Sequence, residues 1–122
     1  MELVKINEDK RGFIYVVKDL LEGGKEFTIL EIKKGAARGG CLHSKDEYFV
    51  IISGKVKIIL GSKEWEVKTG ESGTFPANTP HAFIGIEDSI ISEWGMTFQE
   101  KDLDRKEEFL RRIVDETNKK NI

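Results

Sequence analysis

Chemistry-bearing side chains are scarce in this sequence, and they are bunched. The single cysteine, Cys41, stands two residues before His43, one of only two histidines, and Glu47 follows four residues after that. Alternate side chains of an extended strand share a face, so Cys41 and His43 point the same way, and Glu47 has matching parity if the backbone stays extended through Ser44 to Asp46. The second histidine, His81, lies in "FPANTPHAF" at the start of another strand-like run. An antiparallel neighbour would carry it into the same interior. A thiolate, two imidazoles and a carboxylate suit zinc, iron, nickel or copper better than magnesium or calcium. The competing reading is structural: Cys41 as a small buried apolar residue, His43 and His81 as hydrogen-bonded barrel residues, and Glu47 as a surface charge.

The elements that must position these residues are short strands. Runs rich in Val, Ile, Phe, Tyr and Thr occupy Leu3 to Ile6, Gly12 to Val17, Glu26 to Ile32, Tyr48 to Ile52, Lys55 to Leu60, Glu64 to Val67, Gly73 to Phe75, His81 to Gly85 and Ile90 to Phe98. Such spacing predicts an all-β antiparallel sandwich or barrel. Ser53-Gly54, Gly61-Ser62, Thr69-Gly70 and Asn78-Thr79-Pro80 supply turn chemistry, and the glycine pairs Gly23-Gly24 and Gly39-Gly40 mark loops. From Asp102 the period changes: Leu103, Phe109, Leu110, Ile113 and Val114 fall at helical spacing, with Asp102 placed as the cap. The expectation is one helix packed on the outside of the barrel, frayed from Asn118 to Ile122. Tyr48, Phe49, Phe75 and Phe83 are expected to fill the barrel. Trp65 and Trp94 belong in the core or an interface, and Met96 and Phe98 of the last strand should face the helix or a second subunit.

The totals narrow the class. A chain of 122 residues supplies one core. Its 20 basic and 22 acidic residues leave a net charge of −2, and no basic face or acidic block points to nucleic acid or membrane as a partner. No apolar run approaches the roughly 20 residues that span a bilayer, the first 20 residues lack a signal-peptide layout, and one cysteine forms no internal disulfide. These features predict a soluble, cytoplasmic protein.

The two histidine segments resemble the paired motifs of the cupin superfamily. The first family motif sets a His-x-His pair three residues ahead of a Glu and then a Gly after six more. Cys41-Leu42-His43, Glu47 and Gly54 match it, with Cys41 in place of the first histidine. The second runs Gly, five residues, Pro, x, Gly, two residues, His; Gly70, Pro76, Asn78 and His81 match it, with Asn78 where the family has glycine. Asparagine also tolerates the positive φ such a position asks for. The resemblance implies a small single-domain cupin over residues 1–122, a jelly-roll barrel over about 1–98 with a C-terminal helix over about 102–117. It also implies a homodimer, with Leu3 to Ile6 as a possible exchange strand, and a divalent metal (zinc, iron or nickel) on Cys41, His43, Glu47 and His81. The cysteine would favour a thiophilic metal.

A narrower likeness adds a candidate activity. "RGGCLHSKDEYFVIISGKVKI" is similar to the RGGHxH…E…LSGxVxV segment of cupins in polysaccharide and deoxysugar biosynthesis, and "DKRGF" to their early D-x-R-G stretch. This likeness implies a carbohydrate or nucleotide-sugar isomerase or epimerase acting on a small-molecule ligand. His43 and Cys41 would be its proton-moving residues, and Arg38 would hold a phosphate or carboxylate. The alternatives are a metal-dependent dioxygenase carrying iron or nickel, and a non-catalytic small-molecule-binding module. No DNA-binding segment accompanies the barrel, which counts against a regulator.

Overall fold

The computed structural model describes residues 1–21, 25–101 and 105–120. Ten strands precede the first helix: β1 (Glu2–Asp9), β2 (Gly12–Leu21), β3 (Lys25–Ile32), β4 (Ala37–Leu42), β5 (Glu47–Ser53), β6 (Lys55–Leu60), β7 (Lys63–Lys68), β8 (Ser72–Phe75), β9 (His81–Gly85) and β10 (Ser89–Trp94). A one-turn helix α1 (Phe98–Lys101), a short strand β11 (Arg105–Lys106) and helix α2 (Glu108–Lys120) follow. All pairings are antiparallel. One sheet runs β1-β2-β3-β10-β5-β8 and the other β11-β4-β9-β6-β7, so the chain passes back and forth between two facing layers, as a jelly-roll barrel does.

Side-chain alternation divides the apolar residues between two cores. Leu30, Ile32, Phe49, Ile51, Val56, Ile58, Phe75, Phe83 and Ile91 meet between the sheets. Their neighbours in sequence point the other way: Ala37, Ile59 and Ala82 form the outer face of the second sheet and pack under Leu110 and Val114 of α2. Burying those two side chains contributes about 1.5–3 kcal/mol each. The small Ala37 and Ala82 let the helix lie close.

Gly39-Gly40, expected as a loop, lies inside β4 as a bulge: Gly39 pairs with Ala82 and Cys41 with His81, leaving Gly40 extra. Gly40 has φ +87°, and a β-carbon there would sit 2.8 Å from the Arg111 Cα of α2. Gly40→Ala is therefore expected to cost about 2–4 kcal/mol, combining left-handed strain with displacement of α2. Chemical denaturation measures it, and a loss below 1 kcal/mol would contradict the packing described.

Several expectations change. β10 stops at Trp94, because Gly95 adopts φ +116° with Asp46 O where a β-carbon would be, so Met96 and Phe98 are not strand residues. Helix α2 starts at Glu108, capped by Glu107, whose carboxylate accepts from the Phe109 and Leu110 amides at 3.2 and 2.6 Å. Arg105 and Lys106 instead pair with Leu42 and Cys41 as a strand. The expected cap Asp102 and stripe residue Leu103 lie outside the described residues, as do Gly23-Gly24, and Phe109 is 67% exposed rather than buried. Asn118 belongs to an intact helix: its side chain donates to Ala37 O at 2.9 Å and accepts from Ala37 N at 2.7 Å. Tyr48 does not fill the barrel. It is 38% exposed and stacks on Trp94, itself 42% exposed, across the outer face of the first sheet. Trp65 is likewise half-exposed.

Candidate metal centre

The two histidine segments are locked together by their loops. Asp46 Oδ1 accepts from the Ala77 amide at 2.7 Å, and the Asn78 amide donates to His43 O at 2.6 Å. Asn78 has φ +60°, the conformation that asparagine tolerates in place of glycine. These two bonds hold the His43 loop after β4 against the turn before β9. Glu47 then opens β5 opposite Phe75, and His81 opens β9 between Cys41 and Leu60.

His43, Glu47 and His81 converge: one ligand atom from each lies within 4.8 Å of the others, and all three residues are buried. Glu47 Oε1 is 3.8 Å from His43 Nε2 and 3.5 Å from His81 Nε2. The His81 Nδ1 lies 3.1 Å from Thr79 O, an acceptor only, so Nδ1 is the donor of that bond and Nε2 is the nitrogen turned toward Glu47. The two distances from Glu47 Oε1 lie within the ~4.4 Å that can separate two ligands of one cation bound at the usual ~2.0–2.2 Å. The outer partner on a ring nitrogen is also what metal-binding histidines carry. The His81 ring is further fixed by stacking on Phe75 at 4.2 Å and 17°.

Two charged residues that spacing did not reveal complete the centre. Lys101 of α1 places Nζ 2.5 Å from Glu47 Oε2 and 3.8 Å from Glu93 Oε1. The contact with Oε2 lacks hydrogen-bond geometry, so this buried oxygen has an ion-pair partner without a hydrogen bond. Burial would raise the Glu47 carboxyl, but His81 and the charge of Lys101 outweigh it and hold the group well below the usual carboxylate range. Glu93 goes the other way: burial, then the neighbouring Glu47 charge, push it well above that range. A signal for Glu93 was present, since it shares strand parity with inward-facing Ser89 and Ile91. Lys101 had none, because only the chain's return over the barrel brings α1 here.

A cavity of about 400 Å³ opens onto these groups, walled by both sheets, α1 and α2. His43, Glu47, His81, Glu93 and Lys101 line it, together with Cys41 and the cations Arg11, Arg38 and Arg111. Cys41 thus shares the cavity and pairs with His81 in register, but it stands outside the three-residue cluster. Arg38 is buried, donating from Nη2 to Gly12 O at 2.8 Å and from Nε to Glu31 O at 3.3 Å. Burial, then Arg11, lower its pKa to about 10. The "DKRGF" stretch supplies that support: Asp9 pairs with Arg11 at 2.7 Å and lies 4.0 Å from Arg38, and Gly12 gives the carbonyl.

The comparisons agree with this architecture. Bacillus subtilis oxalate decarboxylase, described with Mn(II) centres, aligns with a TM-score of 0.72 at 17% identity over 86% of this chain and 30% of its own. Hazelnut (Corylus avellana) vicilin aligns with a TM-score of 0.68 at 17% identity over 79% of this chain and 31% of its own. A conserved Streptococcus pyogenes protein of unknown function gives 0.60 at 19% identity, over 75% of this chain and 79% of that one. At these identities the likeness is one of fold, and this chain spans under a third of the decarboxylase and vicilin chains. A search of curated protein sequences finds no match. The cupin-domain family profile matches residues 28–94, more than half the chain, running from β3 to β10 and including all three cluster residues. The chain belongs to the cupin family.

Proposed function

We propose that this chain binds a divalent metal through His43, Glu47 and His81 and acts on a small anionic molecule in the adjoining cavity. The observation that carries the reading is that three buried residues, His43, Glu47 and His81, bring ligand atoms within 4.8 Å of one another on the wall of a cavity of about 400 Å³. When bound, such an ion supplies a Lewis acid with open positions. Arg11, Arg38, Lys101 and Arg111 outnumber Glu47 and Glu93 around the cavity, which favours a ligand carrying a carboxylate or phosphate.

The finer assignment is isomerisation or epimerisation of a carbohydrate or nucleotide sugar. It is supported by the Arg38-Gly39-Gly40 segment, by His43 and Cys41 on the cavity wall as proton-moving groups, and by a cavity at the small end of ligand pockets. Arg38 is the proposed anion-holding residue. A proton removed beside a carbonyl exchanges with solvent, so metal-loaded protein should introduce deuterium from D₂O into a responsive nucleotide sugar, and His43→Ala should abolish this. Oxygen consumption with iron or nickel would assign a dioxygenase instead, and metal binding without turnover a binding module. We also propose association of two copies through the first sheet's outer face, where Tyr48, Ile52 and Trp94 are exposed. Sedimentation tests it.

Cys41→Ser separates the sulfur's roles. Three protein ligands suffice for an open site, so metal retention within about threefold of the parent is expected. A larger loss would make Cys41 the fourth ligand.

A further inference from the structure

Lys101 is held in place with unusual care for a residue on a single helical turn. Thr97 and Glu100 cap each other reciprocally, with the Thr97 amide 3.1 Å from Glu100 Oε1 and the Glu100 amide 3.1 Å from Thr97 Oγ1. The Phe98 amide donates to Glu26 Oε2 at 3.1 Å, and Lys45 pairs with Glu100. This turn delivers the Lys101 side chain, only 15% exposed, to the carboxylate that is also the cluster's one anionic metal ligand. The two oxygens of Glu47 are divided: Oε1 faces both imidazoles and Oε2 faces Lys101.

We propose that Lys101 is a built-in competitor of the metal, a tethered cation on α1 that neutralises Glu47 and so sets how tightly a divalent ion is held. This rests on the metal reading above. Two like charges on opposite oxygens of one buried carboxylate repel across a few ångströms of low-dielectric interior, where such repulsion is poorly screened. The sign then differs from that of an ordinary outer partner, whose removal weakens metal binding. Reciprocity follows: whatever Lys101 costs the metal, the metal costs the docking of α1, and the cavity wall formed by Phe98 and Lys101 loosens when the ion binds.

The test is Mn²⁺ affinity, read by electron paramagnetic resonance of the free ion, in the full chain and in Lys101→Met and Lys101→Arg. Competition predicts roughly 10- to 100-fold tighter binding in Lys101→Met and near-parental binding in Lys101→Arg. Hydrogen exchange adds a readout independent of affinity: the Lys101 amide, bonded to Thr97 O at 3.3 Å, should exchange faster with Mn²⁺ bound. Unchanged or weaker binding in Lys101→Met, with the parent binding normally, overturns the competition and leaves the metal centre standing. If neither parent nor Lys101→Met binds Mn²⁺, both readings fall. Binding by Lys101→Met alone supports the competition strongly.

Discussion

Glu47→Gln is expected to lower divalent-metal affinity by more than ~100-fold, beyond the 10- to 100-fold loss typical of an outer partner. The substitution keeps the shape of the side chain and removes its charge, so the two imidazoles remain 4.7 Å apart, centroid to centroid, with only a neutral oxygen between them. It also removes the main ion-pair partner of Lys101, leaving Glu93 at 3.8 Å. A stability loss of about 1–3 kcal/mol should accompany the change, because a buried ammonium is then less well satisfied. Calorimetric titration with Zn²⁺ or Mn²⁺ and thermal melting read the two effects separately. Affinity within about tenfold of the parent would show that Glu47 is not a ligand.

Phe75→Ala is expected to be the most destabilising of the single changes considered, at about 3–5 kcal/mol. Phe75 is 1% exposed and touches three aromatic neighbours: it stacks on Phe49 at 4.8 Å, meets Phe83 edge-on at 5.3 Å, and stacks on His81 at 4.2 Å. The cavity left by the ring has rigid sheet on both sides and little scope to collapse. The same change frees one face of His81, so metal affinity should fall by about tenfold in whatever fraction remains folded. Phe75→Leu, which refills most of the volume, should recover much of the stability and less of the affinity. Equal recovery of both would mean that stacking does not orient His81.

The ease of reading this sequence varied with how local the physics was. His43, Glu47 and His81 were legible because strand parity and turn residues acted within a few positions, and Asn78 was legible because φ +60° is a local demand. Extended backbone was not in fact kept from Ser44 to Asp46; the convergence instead relies on Asp46 and Asn78 bonding across the two loops. Cys41 shares the cavity with His43, as their alternation along the chain implied, but it stands outside the three-residue cluster. Gly39-Gly40 read as a loop because glycine pairs usually punctuate, whereas here the missing β-carbons admit the backbone of α2. Burial of Arg38 was not legible, because the carbonyls that hold it come from Glu31 on the preceding strand and from Gly12, 26 positions away. The helical stripe was right for Leu110 and Val114 and wrong for Phe109, because periodicity gives a face without saying how wide its partner is. Lys101 was invisible for the most basic reason: nothing near it in sequence records that it ends beside Glu47.

Metal content of the purified protein, measured by inductively coupled plasma mass spectrometry after expression with manganese, iron, nickel or zinc supplied, tests the central claim most directly. The account predicts about one equivalent per chain in the parent and none above background in His81→Ala, whose remaining His43 and Glu47 make an incomplete set. No metal above background in the parent under every supplement, or equal metal in His81→Ala, would contradict a centre built on His43, Glu47 and His81.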